Sequence, residues 1–149
     1  MGGGDYVFMG EFEHTIDAKG RVIIPAKFRN QIATPCIVTR GMDHSLTVYP
    51  MAEWEKVKER LAQLPTTRGN ARKFVRFIFS AATECEFDKQ GRINVPPVLR
   101  EYANLSKRCT IIGVSSHFEI WDADAWTTYQ ADAAEEFDEL AEEIGDLSF

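Results

Sequence analysis

Two stretches of this chain, 71 residues apart, carry the same spaced residues, and that duplication limits the fold more than any other feature. When 8–29 is laid over 79–100, Asp17 meets Asp88, Gly20 meets Gly91, Arg21 meets Arg92, Pro25 meets Pro96 and Arg29 meets Arg100. The apolar pairs Val22/Ile93, Ile24/Val95 and Phe28/Leu99 keep the same register. At an offset of 72 the match resumes, with Gly41 on Gly113, Leu46 on Phe118, Val48 on Ile120, Tyr49 on Trp121 and Trp54 on Trp126. Self-similarity at a fixed offset is the mark of a repeated structural unit.

Each copy has a readable local plan. The segment 11–16 alternates and is rich in strand formers, 21–24 reads as a second strand, and Asp17-Ala18-Lys19-Gly20 lies between them as a turn. Asp accepts hydrogen bonds from backbone N–H groups two or more residues on, and Gly takes φ > 0 without steric cost. The two strands are therefore expected to form a hairpin. Pro25 and Pro96 end the strands and suit the first turn of a short helix, with Phe28 and Ile32 on its buried face in copy one and Leu99 and Ala103 in copy two. Strands over 36–39 and 46–49 follow, and over 109–113 and 118–121 in the second copy. The plan is ββαββ twice, a mostly β chain with helices (α+β).

The copies are placed at 11–53 and 82–125. Connecting helices fill 54–81, the first carrying Trp54, Val57, Leu61 and Leu64 and stopping at Pro65, the second covering 70–80. A C-terminal helix occupies 126–149, amphipathic over 125–144, with Tyr129, Phe137, Leu140 and Ile144 expected to face inwards. A unit of about 45 residues buries too little surface to stand alone. The two copies are thus expected to share one core.

Composition adds exclusions. The chain has 149 residues, 44% hydrophobic and 11% aromatic, which suits a folded domain and not a disordered one. No apolar run reaches the roughly 20 residues of a membrane span, and the start has no secretory pattern. Residues 1–7, with three consecutive glycines, read as a leader outside the fold. Cys36, Cys85 and Cys109, and His14, His44 and His117, show no metal-ligand spacing, so no metal or cofactor is expected. The cysteines read as small buried hydrophobes of a reducing cytosol. Net charge is −6, but 8 of the 23 acidic residues follow Trp126, where there is no Lys or Arg. The rest holds 17 basic against 15 acidic residues. Bulk charge therefore does not argue against a polyanion, because the local field decides contact.

These residues resemble the MraZ family, bacterial regulators built from two AbrB-like (SpoVT-AbrB) modules. The similar features are Phe-Met-Gly-Glu from Phe8, the two Asp-x-x-x-Arg motifs (Asp17/Arg21 and Asp88/Arg92), the Pro-x-x-[Phe/Leu]-Arg that follows each, Tyr-Pro…Glu-Trp over 49–54, and Phe-Glu-Ile-Trp over 118–121. One such motif carries little information; two at fixed spacing, each with its Pro element, are specific. The resemblance implies a double-psi or swapped-hairpin AbrB-like β-barrel made by both halves of the chain. It further implies ring-shaped homo-oligomers, and DNA binding with repression upstream of the operon that begins the division and cell-wall gene cluster. The expected location is the cytoplasm, on the nucleoid, without membrane or small-molecule substrate.

The residues suggest how such a chain meets DNA. A two-stranded tip fits a major groove, and Arg carries a planar fork of donors that matches guanine O6 and N7 or two phosphate oxygens. Arg21 and Arg92 are the candidate readers. Lys19 and Lys89 offer point charges to phosphate. Asp17, Gly20, Asp88 and Gly91 shape the turns, since a carboxylate is repelled by phosphate. The plainer alternative is a local Asp–Arg salt bridge, but exposed pairs of that kind stabilise little. Arg68, Arg72 and Arg76 recur every four residues and form a helical stripe that either touches phosphates or pairs with acidic partners. Arg29 and Arg100 read as structural anchors. A single tip makes few base contacts, so several tips are expected to act together.

Two other classes compete. An enzyme on the same barrel would need a nucleophile paired with a base, a metal cluster or a phosphate-cradling loop, and the sequence offers none. A protein-binding module, antitoxin-like or an assembly scaffold, is the closer alternative, because the acidic C-terminal helix is a surface a partner could use.

Overall fold

The computed structural model describes residues 6–33 and 35–145. Its fold is α+β. The strands are β1 (Glu11–Thr15), β2 (Arg21–Ile23), β3 (Cys36–Arg40), β4 (Leu46–Pro50), β5 (Thr83–Cys85), β6 (Arg92–Asn94), β7 (Arg108–Val114) and β8 (His117–Asp122). The helices are α1 (Ala26–Arg29), α2 (Met51–Ala62), α3 (Gly69–Ala81), α4 (Pro97–Tyr102) and α5 (Ala123–Ile144). Each copy thus runs strand, strand, short helix, strand, strand. No helix among the described residues is long and apolar enough to cross a membrane.

The pairing departs from the local expectation. β1 and β2 do meet at the turn, through a single bridge between Ile16 and Val22. They then diverge, and β1 runs antiparallel along β7 of the other copy. β2 pairs with β6, β3 with β5 and β4 with β8, again across copies. Only β3–β4 and β7–β8 pair within a copy. One antiparallel sheet has the order β1-β7-β8-β4-β3-β5, and β2-β6 form a separate ribbon. The local rule recognised the turn but not the partner: β2 has only three residues before Pro25, too short an edge for all of β1, whereas β7 offers seven.

The ribbon is self-complementary. Val22 lies opposite Ile93, its own counterpart in the repeat. The flanking pairs Arg21↔Asn94 and Ile23↔Arg92 exchange under the same offset, as an approximate two-fold axis through the Val22–Ile93 pair requires.

Interlocked strands produce one core. Phe8, Phe28 and Phe118 are all at most 1% exposed. Their rings lie 5.1–5.4 Å apart, and Phe12 adds an edge contact to Phe28 at 5.3 Å. Phe28 belongs to copy one and Phe118 to copy two, so neither copy has a core of its own. Leu99, Ala103 and Ile32 are buried as the repeat pattern expects, although Ile32 lies beyond the end of α1.

Three further expectations need correction. Tyr6 and Val7 belong to the fold: Tyr6 stacks on Phe8 at 5.7 Å, and Val7 exchanges backbone hydrogen bonds with the Gln31 side chain. Residues 1–5, the rest of the proposed leader, lie outside the described residues, as does Asp146 of the acidic tail. On α5, Phe137, Leu140 and Ile144 do not face inwards; they are 69%, 39% and 69% exposed, whereas Tyr129 packs its ring on Trp121 at 4.8 Å. Periodicity identified the apolar stripe but could not say that nothing among the described residues covers it. Arg68 precedes α3 with an extended backbone, so only Arg72 and Arg76 of the proposed stripe are helical.

Candidate nucleic-acid interface

The two tips are built alike and sit at the two ends of one short antiparallel ribbon. At the first, Asp17 Oδ1 accepts hydrogen bonds from the backbone N–H groups of Lys19 (3.0 Å) and Arg21 (2.8 Å). Asp17 Oδ2 accepts from Arg21 Nε at 2.7 Å. At the second, Asp88 Oδ1 accepts from the N–H groups of Gln90 and Arg92, both at 2.9 Å, and Oδ2 from Arg92 Nε at 2.7 Å. One carboxylate therefore holds the turn with one oxygen and aims the Arg with the other. The terminal guanidinium nitrogens of Arg21 make no hydrogen bond among the described residues. Lys19 and Lys89 are exposed at the same tips.

The backbone N–H donors, with Arg21 and Arg92 beside them, hold Asp17 and Asp88 below the ordinary aspartate value of 3.8. The folded state therefore takes up these protons at lower pH than the unfolded chain does. Their stabilisation is complete above the unfolded value and is lost as pH falls through the lowered folded value. Carboxyl-carbon NMR titration is expected to show both midpoints below that of free aspartate; a midpoint at or above it contradicts the geometry.

Contacts between copies lock the tips together. Ile24 N–H donates to Gly91 O at 3.0 Å, and Val95 N–H donates to Gly20 O at 2.7 Å. Arg92 Nη1 lies 3.8 Å from Asp17 Oδ2, so the second Arg leans towards the first turn. Its side chain is 23% exposed against 35% for Arg21. Arg29 lies beneath Gly91, and Arg100 beneath Gly20. Each anchor thus braces the turn of the opposite copy, a role that neither single copy could reveal.

Gly20 is required twice over. Its φ is +85°, and a Cβ there would lie 2.6 Å from Val95 O and 2.9 Å from the Arg100 guanidinium carbon. Gly20→Ala is expected to destabilise the fold by at least about 1–2 kcal/mol, from the left-handed backbone alone. Urea unfolding measures this, and a change below about 0.5 kcal/mol contradicts the reading.

The remaining candidates stand apart from this pair. Arg72 donates to Thr66 O at 2.9 Å and is tied to its own loop. No hydrogen bond or ion pair joins Arg68, Arg72 or Arg76 to a tip among the described residues. Sequence reading also missed a cross-strand neighbour pair, Cys36 opposite Cys85, because the two thiols are 49 residues apart. Burial pushes Cys36 and Cys109 up to about 12 and Cys85 to about 11, so all three stay protonated at neutral pH. No group of three or more His, Cys, Asp or Glu residues able to hold a metal is present among the described residues.

Comparison with known proteins bears on the same repeat. The family described as "MraZ protein, putative antitoxin-like" matches twice, over 7–77 and 78–146. The chain belongs to the MraZ family. A relative in Limosilactobacillus fermentum named "Transcriptional regulator MraZ" is 58% identical over 143 residues, 96% of this chain and 100% of that protein. A protein of the same name in Limosilactobacillus reuteri is 54% identical, covering 93% of this chain and 97% of its own length. A third, from Halothermothrix orenii, is 53% identical, covering 95% and 99%. The MraZ match boundary at 77/78 falls inside α3, so the helix that ends the first matched segment also begins the second.

Proposed function

We propose that this chain is a sequence-specific DNA-binding transcriptional regulator that represses its own operon in the division and cell-wall gene cluster. The single observation that carries the reading is the paired tip. Two Asp-aimed arginines project from one two-stranded ribbon, with Gly-shaped turns and exposed Lys19 and Lys89 beside them. A ribbon of this kind is the right width for a major groove, and an aimed guanidinium forks onto guanine or phosphate. Kinship to proteins named transcriptional regulators supports the same reading and a non-enzymatic role. The interlocked strands are read as the AbrB-like swapped-hairpin barrel, with modules at 11–53 and 82–125, connecting helices at 54–81 and the acidic helix at 126–149. Arg68, Arg72 and Arg76 are reserved as secondary phosphate contacts. The site of action is the nucleoid.

One subunit offers only two tips, so useful affinity requires several subunits on several short operator repeats, as a ring-shaped homo-oligomer would provide. Linked sites raise avidity without any new contact. The test is binding to the DNA upstream of the protein's own gene, measured by fluorescence anisotropy. An array of repeats is expected to bind at least 100-fold more tightly than one isolated repeat, and affinity is expected to fall linearly with salt on logarithmic axes. Equal affinity for one repeat and for the array overturns the multivalent reading, and equal affinity for scrambled DNA overturns the specific one.

A protein-binding role has one observation in its favour, the uncovered apolar stripe of α5. That stripe is assigned below to a second copy of the chain.

A further inference from the structure

The outer half of α5 is a helix without a floor. The helix starts against β7 and β8, and Asp122 caps it by accepting from Ala125 N–H. From Ala131 onward nothing on it is buried. Phe137, Leu140 and Ile144 fall on one stripe, 69%, 39% and 69% exposed. A free helical segment of about 14 residues is marginal in water, and an exposed stripe of large apolar side chains marks an interface.

A matching surface lies elsewhere on the same chain. Phe74 and Phe77 on α3 are 39% and 47% exposed. They border a cleft of about 500 Å³ between α2, α3 and the sheet, walled also by Val57 and Leu61. Arg40 and Arg60 stand in its lining. The Arg40 guanidinium stacks on Phe77 at 3.9 Å, and its buried Nε has no hydrogen-bond partner.

Charge decides which surfaces meet. The segment 131–144 carries only acidic charge, whereas the cleft is lined by Arg40 and Arg60 against the single carboxylate of Glu119, and α3 itself carries only basic charge. Pairing α5 with α5 of another copy would set carboxylates against carboxylates; pairing α3 with α3 would oppose cations. Only the unlike pair is favoured on both charge and apolar contact. The lengths agree as well, since 14 residues of α5 and the 13 of α3 each span about 20 Å.

We propose that the acidic outer half of α5 docks into the basic, aromatic α2–α3 cleft of a second copy of the chain, joining subunits head to tail. This rests on the homo-oligomer of the proposed function and names its interface. A contact between two different surfaces leaves one free helix and one free cleft at the ends of any open chain, so it closes only as a ring. The acidic charge of each α5 is then neutralised on its neighbour, and the tips keep their local positive field.

Two variants test it by mass photometry and analytical ultracentrifugation. The cleft variant is Arg60→Glu with Phe74→Ala; the helix variant is Phe137→Ala with Leu140→Ala. All changed side chains are exposed, and circular dichroism melts verify folding. Wild type is expected to be a closed oligomer and each variant alone a monomer, at least a 100-fold loss of self-affinity. An equimolar mixture is expected to stop at dimers, since one intact cleft and one intact helix remain. If either variant alone keeps the wild-type mass, this interface is overturned while the oligomer stands. If wild type is itself monomeric, the oligomer falls too, and a bound small molecule in native mass spectra would identify the cleft as a ligand pocket instead.

Discussion

Arg21→Ala is expected to lower affinity for the upstream DNA by at least about 100-fold, with the fold intact. A good bidentate Arg contact discriminates by about 1–3 kcal/mol, and each 1.4 kcal/mol is tenfold. Several subunits on one array lose that contact together, so the losses compound. The folded state loses only an exposed contact to Asp17, because the Arg21 side chain is 35% exposed; the melting curve is expected to move little. Arg21→Lys separates two roles. It keeps the charge and removes the fork, so near-normal binding would mean that Arg21 serves phosphate alone. Arg92→Ala is expected to cost less than Arg21→Ala, since Arg92 leans onto Asp17 at 3.8 Å and is less exposed. Unchanged binding in Arg21→Ala removes the tip from the interface.

Phe28→Ala is expected to cost about 3–5 kcal/mol, the usual range for a fully buried aromatic truncated to a methyl group. Phe28 is 0% exposed and touches the rings of Phe8, Phe12 and Phe118. Because Phe118 comes from the second copy, the damage should not stay in the first. Thermal unfolding is expected to remain a single transition with its midpoint lowered by about 10 °C, at about 2–4 °C per kcal/mol for a chain of this size. Two separated transitions would show that each copy folds alone, against the shared core. Leu99→Ala, at the equivalent position of copy two, is expected to behave in the same way at about 2–5 kcal/mol.

The repeat, its turns and its strand positions were legible because each rests on neighbours in sequence. Asp17 reaches N–H groups two and four residues on, and Gly20 answers a φ that the turn itself demands. Family membership was legible for the same reason, since the motifs sit at fixed spacing. The two tip arginines were also legible from sequence, but not that they share one ribbon.

What the sequence could not determine was which strand each strand would choose. Asp17, Gly20 and Pro25 specify a turn and its end whether β2 returns to β1 or crosses to β6. That choice depends on the summed burial of Phe8, Phe28 and Phe118 around one core, a quantity that no local window contains. The same holds for Arg29 and Arg100, each of which braces a turn of the opposite copy, and for the apolar stripe of α5, whose exposure depends on what the rest of the chain leaves uncovered. The sequence by itself determined a duplicated, Arg-bearing tip. Only the tertiary structure joined the two tips into one ribbon, because pairing each copy with the other buries both apolar faces at once, and neither copy can bury its own.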